Sequence, residues 1–453
     1  MIKQAIKRSA IRLMTLPPLF RVMNKALNTR PIIFTLHRKA NPEHGIGGHD
    51  PAMVRQQLEY LLKHGYRMVT MDVVDAWVNG EDMDMTNTVA FTFDDGYRDQ
   101  VELIREVFLP LGVPASMFLI TDFIDGKDWP WDARINWLIH HAPEKPVDLH
   151  IPTTGLQTRF EPDRSARRRL ARRFIDNVEH RPPEILETAI GELAKALDME
   201  IPQTPPDCHA PLSWDDARAL EKQGMRFGSH SISHYIFSTL DHEESERQIR
   251  QARERIHSEL AYPLSTFCYP IGLRQDYTGR ELKTLAAAGH TSAVTMTPGI
   301  VERPKPGSKY RHFVLNRYGM PDDMDDFIQH STWIERAKDH ARAVSPRTLI
   351  RNRYGSPRGL LRLMKTEVDY RLGRIKVDKE IDWSRVKRLV FICHGNVCRS
   401  PFAEAVAKQH GLPAISFGLK TDQGTRANPI ASRVALEMGV DMTEHASLSF
   451  DTQ

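Results

Sequence analysis

Cysteine, long apolar runs and, at one end, acid are what this chain has least of. Its four cysteines (208, 268, 393 and 398) are too few for a disulfide scaffold. Two of them fall in one reactive-looking motif, which favours a reducing compartment. No apolar run approaches the roughly 20 residues of a membrane span. Residues 1–39 hold nine Lys or Arg and no acid. Ile2, Ala5, Ile6, Ser9 and Leu13 keep helical spacing there until Pro17-Pro18. The lysines and arginines interrupt the continuous core a signal peptide needs. Two readings of this arm stay open: a helix lying on an anionic membrane surface, or an ordinary helix packed on its own domain. No recognition motif accompanies the charge, so nucleic acid is not an expected partner. At 453 residues and a net charge of +4, the chain is long enough for two or three domains.

The chemistry is concentrated in two short stretches. Val89–Phe93 reads as a buried strand, and Asp94-Asp95-Gly96-Tyr97 follows at once. Neighbouring strand residues face opposite ways, so both carboxylates serve one site only where the backbone turns, which Gly96 permits. Two carboxylates at the mouth of a buried strand call for a cation or a proton. Far downstream, a strand at Met225–Phe227 runs into His230-Ser231-Ile232-Ser233-His234. Read as a helix, that i, i+4 spacing puts both imidazoles on one face. Two imidazoles and a carboxylate leave a divalent metal an open position, the arrangement of a catalytic site. Either stretch alone has a plain alternative, an acidic turn or two surface histidines. Both together, each after a strand, point to a metal centre.

These residues resemble the polysaccharide deacetylase family with the NodB homology domain. Thr92–Gly96 matches its T-F-D-D-G motif, His230–His234 its H-[S/T]-x-[S/T]-H motif, and Phe267-Cys268-Tyr269-Pro270-Ile271-Gly272 its aromatic-proline motif. The resemblance spans roughly residues 30–320 and implies a distorted (β/α) barrel. It implies Asp95, His230 and His234 as ligands of a divalent metal, most simply zinc, and Asp94 as general base. It also implies Tyr97, Tyr269, Pro270 and Trp214 as substrate contacts, with a backbone N–H near Tyr269 receiving the oxyanion. The substrate implied is a glycan with N-acetylated sugars. Two family features are missing: the late Leu-x-x-His reads Leu315-Asn316-Arg317 here, and the third motif lacks its arginine. In a subgroup with a similar third motif the acid is a histidine at the end of the first strand. The matching residue is His37, with His312 as the alternative.

The rest of the chain reads as alternating strands and helices. Strands are expected at Pro31–His37, Arg67–Met71, Ala115–Leu119 and Thr291–Met296, with helices between, hence parallel strands with crossovers. Residues 125–210 break this rhythm. They open on Trp129-Pro130-Trp131-Asp132 and carry arginines at 164, 167, 168, 169, 172 and 173. We read them as a helical insertion capping the catalytic face, its arginines facing either an anionic substrate or solvent. The expected organisation is a basic arm at 1–29, a deacetylase-like domain at 30–335, a basic linker at 336–384 and a terminal segment at 385–453.

That segment has its own motif. A strand at Val386–Ile392 leads into Cys393-His394-Gly395-Asn396-Val397-Cys398-Arg399-Ser400-Pro401. A cysteine, five residues and an arginine before a helix form a phosphate cradle. The stretch resembles the low-molecular-weight protein tyrosine phosphatases, whose relatives include arsenate reductases. By that resemblance Cys393 is the nucleophile, Arg399 the phosphate binder and Cys398 a redox partner. The family's later Asp-Pro acid has no counterpart, so the segment reads as a partial α/β domain. Three functions stay open: a carbohydrate N-deacetylase in exopolysaccharide or envelope synthesis, cytoplasmic and at most peripheral to the membrane; a phosphatase or arsenate reductase; or a weakly catalytic glycan binder.

Overall fold

Thr88–Asp95 is buried along its whole length, as a parallel strand covered on both faces must be. It is the middle of a curled parallel sheet in the computed structural model, which describes residues 2–304, 308–343, 356–374 and 382–450. The strands, in chain order, are β1 (Ile32–Leu36), β2 (Arg67–Val69), β3 (Thr88–Asp95) and β4 (Ser116–Leu119). A separate hairpin follows, β5 (Val147–Ile151) and β6 (Leu156–Phe160). Then come β7 (Arg226–Ser229), β8 (Thr266–Cys268), β9 (Ser292–Val294) and β10 (Tyr318–Gly319). The order across the sheet is β10-β1-β3-β4-β7-β8-β9, with β2 beside the start of β3. Leu315 bridges to Val294 of β9, and Tyr318 pairs with Phe34 of β1, so one segment spans both ends of the curl. The result is the α/β barrel architecture expected. Several strand boundaries differ from those expected; among them, Met71 opens a helix, Met71–Val78, and β9 stops at Val294.

The insertion is a unit with its own core. Helices Trp131–His141, Arg164–Val178 and Pro183–Ala196 pack with the hairpin around Phe160, Phe174, Ile190 and Leu193. The hairpin was not legible, because its alternation is short and interrupted by charge. The insertion also reaches the barrel. Tyr235 and Ile271 pack on its core, and Tyr235 donates its hydroxyl to Glu187, which Arg134 holds in a fork at 2.8 and 2.7 Å.

The basic arm is docked on the barrel. Its helices are Ile2–Met14 and Pro17–Leu27. Asn24 donates to the Tyr66 hydroxyl at 2.8 Å and accepts from the Trp333 N–H at 2.9 Å, and Asn28 donates to the Ser331 carbonyl. Lys7 and Arg8 pair with Asp326 and Asp325 of helix Met324–Ser331. Ile11 and Phe20 are inside, while Leu13, Leu16, Leu19 and Val22 are exposed; of the residues noted for helical spacing, Ser9 and Leu13 are described and both are exposed. The side chains of residues 1–6 lie outside the described ones. The stretch read as an aperiodic linker contains helices Trp333–Ala343 and Pro357–Arg371. The second starts at Ser356, whose hydroxyl caps it by accepting from the Gly359 N–H.

In the terminal segment, β11 (Leu389–Cys393) and β12 (Ala414–Gly418) form a two-stranded parallel sheet with helix Arg399–Gln409 against it. Helix Pro429–Glu437 docks this unit on the barrel wall. Leu436 joins the Tyr269 and Tyr277 cluster, and Arg433 lies over the Tyr277 ring. Lys283 pairs with Asp441 at 2.5 Å and Arg311 with Glu437 at 2.9 Å.

Candidate active site

Five elements end at one place. The turn after β3 starts at Asp95 itself, whose φ is +82°, and continues through Gly96 at +91°. A Cβ on Gly96 would sit 2.8 Å from Ile124, so glycine is required there. Left-handed backbone at an aspartate is strained and is held only by its surroundings. After β7 the chain does not form the expected helix. Ser231 and His234 both take positive φ, at +68° and +61°, and the loop folds the two imidazoles to 4.9 Å between ring centres. Gln248 holds this loop by accepting from the N–H groups of Ile232 and Ser233, and Trp131 of the insertion donates to the His234 carbonyl at 3.0 Å.

Asp95 Oδ1 lies 3.5 Å from His230 Nε2 and 3.5 Å from His234 Nε2. This oxygen is buried and has no hydrogen-bond partner. His230 Nδ1 lies 2.9 Å from the Cys268 carbonyl, which can only accept, so Nδ1 carries a proton and Nε2 can offer its lone pair to the centre. Two convergent imidazole nitrogens and an unpartnered carboxylate oxygen fit a divalent cation. Asp94, His230 and Cys268 also lie within ligand distance of one another. That second grouping fits a cation poorly, because Arg317 already fills the space beside Asp94.

Arg317 is the residue sequence reasoning missed. It is fully buried and forks onto Asp94 with two bonds of 2.8 Å. It also donates to the Thr295 carbonyl and to Thr92 Oγ1, each at 3.0 Å. Burial pushes the Asp94 carboxyl up, but the adjacent guanidinium outweighs it and holds the group below the usual carboxylate range. Burial likewise raises Asp95, and the neighbouring His230 and His234 imidazoles reverse that to well below the usual range. The signal was present: the position where the family motif has histidine reads arginine, on the segment spanning the ends of the sheet.

His37 is half-exposed, with Nε2 3.8 Å from Asp94 Oδ2. Gln100 donates to the carbonyls of both His37 and Asp94, tying the ends of β1 and β3 together. His37, Asp95, Tyr97 and Asp132 line a cleft of about 570 Å³ between loop 42–47 and the insertion. Asp132 Oδ1 lies 3.7 Å from His234 Nδ1, and burial raises its carboxyl. His209 also lines the cleft; burial, with Arg38 beside it, lowers it to about 3, so it is neutral.

Several expected contacts point elsewhere. Tyr269 turns its ring into the barrel wall, stacked on Tyr277 at 4.1 Å, and its N–H faces the Val294 carbonyl at 3.4 Å. Its neighbour Pro270 is buried and does not line the cleft. Trp214 opens helix Trp214–Lys222, bonds Asp125 at 2.8 Å and carries Arg255 over its ring. Trp129 and Trp131 are buried packing residues. Tyr97 lines the cleft but is covered by Arg38, 3.8 Å above its ring. His312 packs on Phe313, away from the cleft.

In the second site, Cys393 Sγ accepts from Ser400 Oγ at 3.0 Å and from the Asn396 N–H at 3.2 Å. Burial raises the thiol, and the Ser400 hydroxyl and neighbouring N–H groups reverse this to below its ordinary value. Asn396, buried and left-handed at φ +47°, braces the loop through Ser400 and Ser416. Arg399 is exposed at the start of its helix.

Fold and centre define an α/β barrel with an Asp-His-His cluster that could hold a metal ion. Residues 83–292 match the family model described as polysaccharide deacetylase, and residues 388–453 that of low molecular weight phosphotyrosine protein phosphatase. The chain therefore carries a polysaccharide deacetylase domain followed by a phosphatase-type segment. Among curated proteins, it is 39% identical over 62 residues to the probable low molecular weight protein-tyrosine-phosphatase EpsP of Ralstonia solanacearum, covering 13% of this chain and 43% of that protein. It is 35% identical over 63 residues to a protein-arginine-phosphatase of Geobacillus stearothermophilus, with the same 13% and 43%. The chain thus spans less than half the length of these relatives. Among solved structures, the Streptococcus pyogenes deacetylase PplD in complex with acetate is 13% identical, with a TM-score of 0.42, covering 67% of this chain and 97% of that one. IcaB from Ammonifex degensii is 15% identical, with a TM-score of 0.38, covering 68% and 97%.

Proposed function

We propose that the chain hydrolyses the N-acetyl amide of amino sugars in a glycan, with Asp95, His230 and His234 holding a divalent metal, zinc by the donor set. The observation that carries this is the buried, unpartnered Asp95 Oδ1 facing two imidazole nitrogens at 3.5 Å. When bound, the ion would supply Lewis acidity towards the acetamide carbonyl and ease the ionisation of water. Asp94 accepts the proton of the attacking water, kept ionised and oriented by the Arg317 fork. Water adds to the carbonyl carbon, the C–N bond breaks, and acetate and an amine leave. His37, on the open side of Asp94, delivers the proton the amine needs. The insertion contributes by bracing His234 through Trp131 and by walling the cleft. Metal content together with acetate release from an N-acetylated oligosaccharide tests this reading; a metal-loaded chain that releases none from any such glycan defeats it.

A second activity is favoured by one observation, the Ser400 and Asn396 bonds to Cys393 Sγ. We propose that Cys393 attacks phosphate held by Arg399 and that leaving groups needing little protonation turn over fastest. Cys393-dependent hydrolysis of a nitrophenyl phosphate that far exceeds that of a phosphotyrosine peptide is the expected result. The pairing of the two domain types supports a place in exopolysaccharide or envelope assembly on the cytoplasmic side. The exposed stripe Leu13, Leu16, Leu19 and Val22, beside Arg21 and Lys25, supports peripheral membrane contact, which liposome sedimentation tests. No helix among the described residues is long and apolar enough to cross a membrane.

A further inference from the structure

The helix Arg164–Val178 carries six arginines and one acid, Asp176. Two of the exposed ones bond neighbouring hydroxyls, Arg169 that of Ser165 and Arg173 that of Thr158. Arg167 points inward and is architectural: it donates to the carbonyls of Ile139, His140, Ala142 and Pro162 and pairs with Glu144 at 2.8 Å. Arg164, Arg168 and Arg172 lie along the exposed side at i, i+4, i+8. Among the described residues none of these three makes an ion pair, and the one bond from them is Arg164 to the Pro42 carbonyl at 3.5 Å. Elsewhere on the surface arginine meets carboxylate, as in Arg250 with Glu246 and Arg255 with Asp125. The preceding acid, Asp163, is engaged as the helix cap, accepting from the N–H groups of Ser165 and Ala166. Like charges at i, i+4 repel along a helix, and Asp176, four residues beyond Arg172, is the helix's single acid to relieve that repulsion.

Its location gives the row a use. Arg164 and Arg168 line the cleft whose floor is His37, Asp95 and Asp132. Arg168 also lines the adjoining depression with Arg169, Arg172 and Arg173, so the two concavities share a wall. A guanidinium matches carboxylate or phosphate with two parallel bonds, and a row of one sign beside a cleft concentrates anions at its mouth.

We infer that Arg164, Arg168 and Arg172 form a cationic track that seats an acidic N-acetylated glycan, bearing carboxylate or phosphate, as it enters the cleft. The inference rests on the deacetylase reading and narrows its substrate class. The track holds flanking acidic groups, and the N-acetyl group reaches the Asp95 end.

The test titrates the full chain with three probes: an oligosaccharide of alternating N-acetylglucosamine and glucuronate, N-acetylglucosamine 1-phosphate, and neutral N-acetyl chito-oligosaccharide. Binding is measured with and without metal, and acetate release separately. The expected result is tighter binding of an acidic probe than of the neutral one, a gap that narrows with added salt. Preference for the uronate probe assigns carboxylate and preference for the phosphate probe assigns phosphate; either sustains the track. The Arg164→Gln/Arg168→Gln/Arg172→Gln variant should weaken the acidic probe by about tenfold more than the neutral one, as expected for lost bonds to charged groups. Equal losses on both probes overturn the inference. So does binding of dextran sulfate, which has no N-acetyl group, as tight as that of the uronate oligosaccharide. Selective acidic binding without acetate release from any probe leaves the track standing and defeats the deacetylase reading.

Discussion

The barrel centre and the Cys393 loop each sit at the carboxyl end of a parallel strand, and they differ in what surrounds that strand. β3 is buried at every residue and has strands on both sides. β11 has one partner strand, and its Val390 and Ile392 are about half-exposed. A parallel strand is stable when both faces are covered, so the barrel can hold strained backbone at Asp95, Ser231 and His234. The terminal unit relies instead on one braced asparagine and on docking through Leu436 and Arg433. Enclosure makes the first site rigid and low in dielectric, where Arg317 can determine the charge of Asp94. The second remains open to solvent, and its thiol is tuned by short local bonds.

The largest break in this comparison comes from the proposed metal ligands. His230→Ala or His234→Ala should lose bound metal and acetate release together, read by metal analysis beside the assay; full occupancy in either variant would remove the assignment. Next is the buried pair. Arg317→Met leaves Asp94 charged and unpartnered, which should cost roughly 3–5 kcal/mol of stability by denaturant melts. Asp94→Asn, a near-isosteric change, should keep the metal while turnover falls about 100- to 10,000-fold. Wild-type turnover in Asp94→Asn would mean another group takes the proton.

Smaller effects sharpen the contrast. His37→Ala should slow amide substrates more than activated aryl esters, because an amine leaving group needs a proton and a stabilised phenolate needs little help. Equal slowing of both would make His37 structural. At the open site the expected effect is a pH displacement. The Cys393 thiol is lowered and that of Cys398 is raised by burial, so Cys393 loses its proton at the lower pH. Iodoacetamide labelling followed by peptide mapping should show Cys393 reacting first as pH rises, with Cys398 following. Ser400→Ala should shift the Cys393 profile upward, since it removes a donor to the thiolate. Coincident profiles for the two cysteines in the wild-type chain would refute the local-bond account.

What the sequence determined by itself is the candidate chemistry-bearing residues and the alternation of strands and helices along the chain. The Asp94-Asp95 pair and the His230–His234 pair each follow a strand in the sequence, so a site joining them was legible from spacing, while the choice of Asp95 over Asp94 came from the family resemblance. The Cys393 loop was legible for the same reason, because its bonds are local. What only the tertiary structure decided is which way side chains point and which distant groups pair. Arg317 reaches Asp94 across 223 positions because β10 lies beside β1, a fact of sheet order that no local periodicity carries. The His230–His234 spacing suited a helix equally well, and the loop prevailed because Gln248 and Trp131, both remote, supply its hydrogen bonds. Tyr269 and Trp214 were expected in the cleft and lie in the walls, since aromatic residues near a site are also its packing material. That Asp325, Asp326 and Tyr66 lie beside the basic arm is likewise a matter of long-range packing. In each case local pattern specifies which face or turn a residue can occupy, and long-range packing selects among the options.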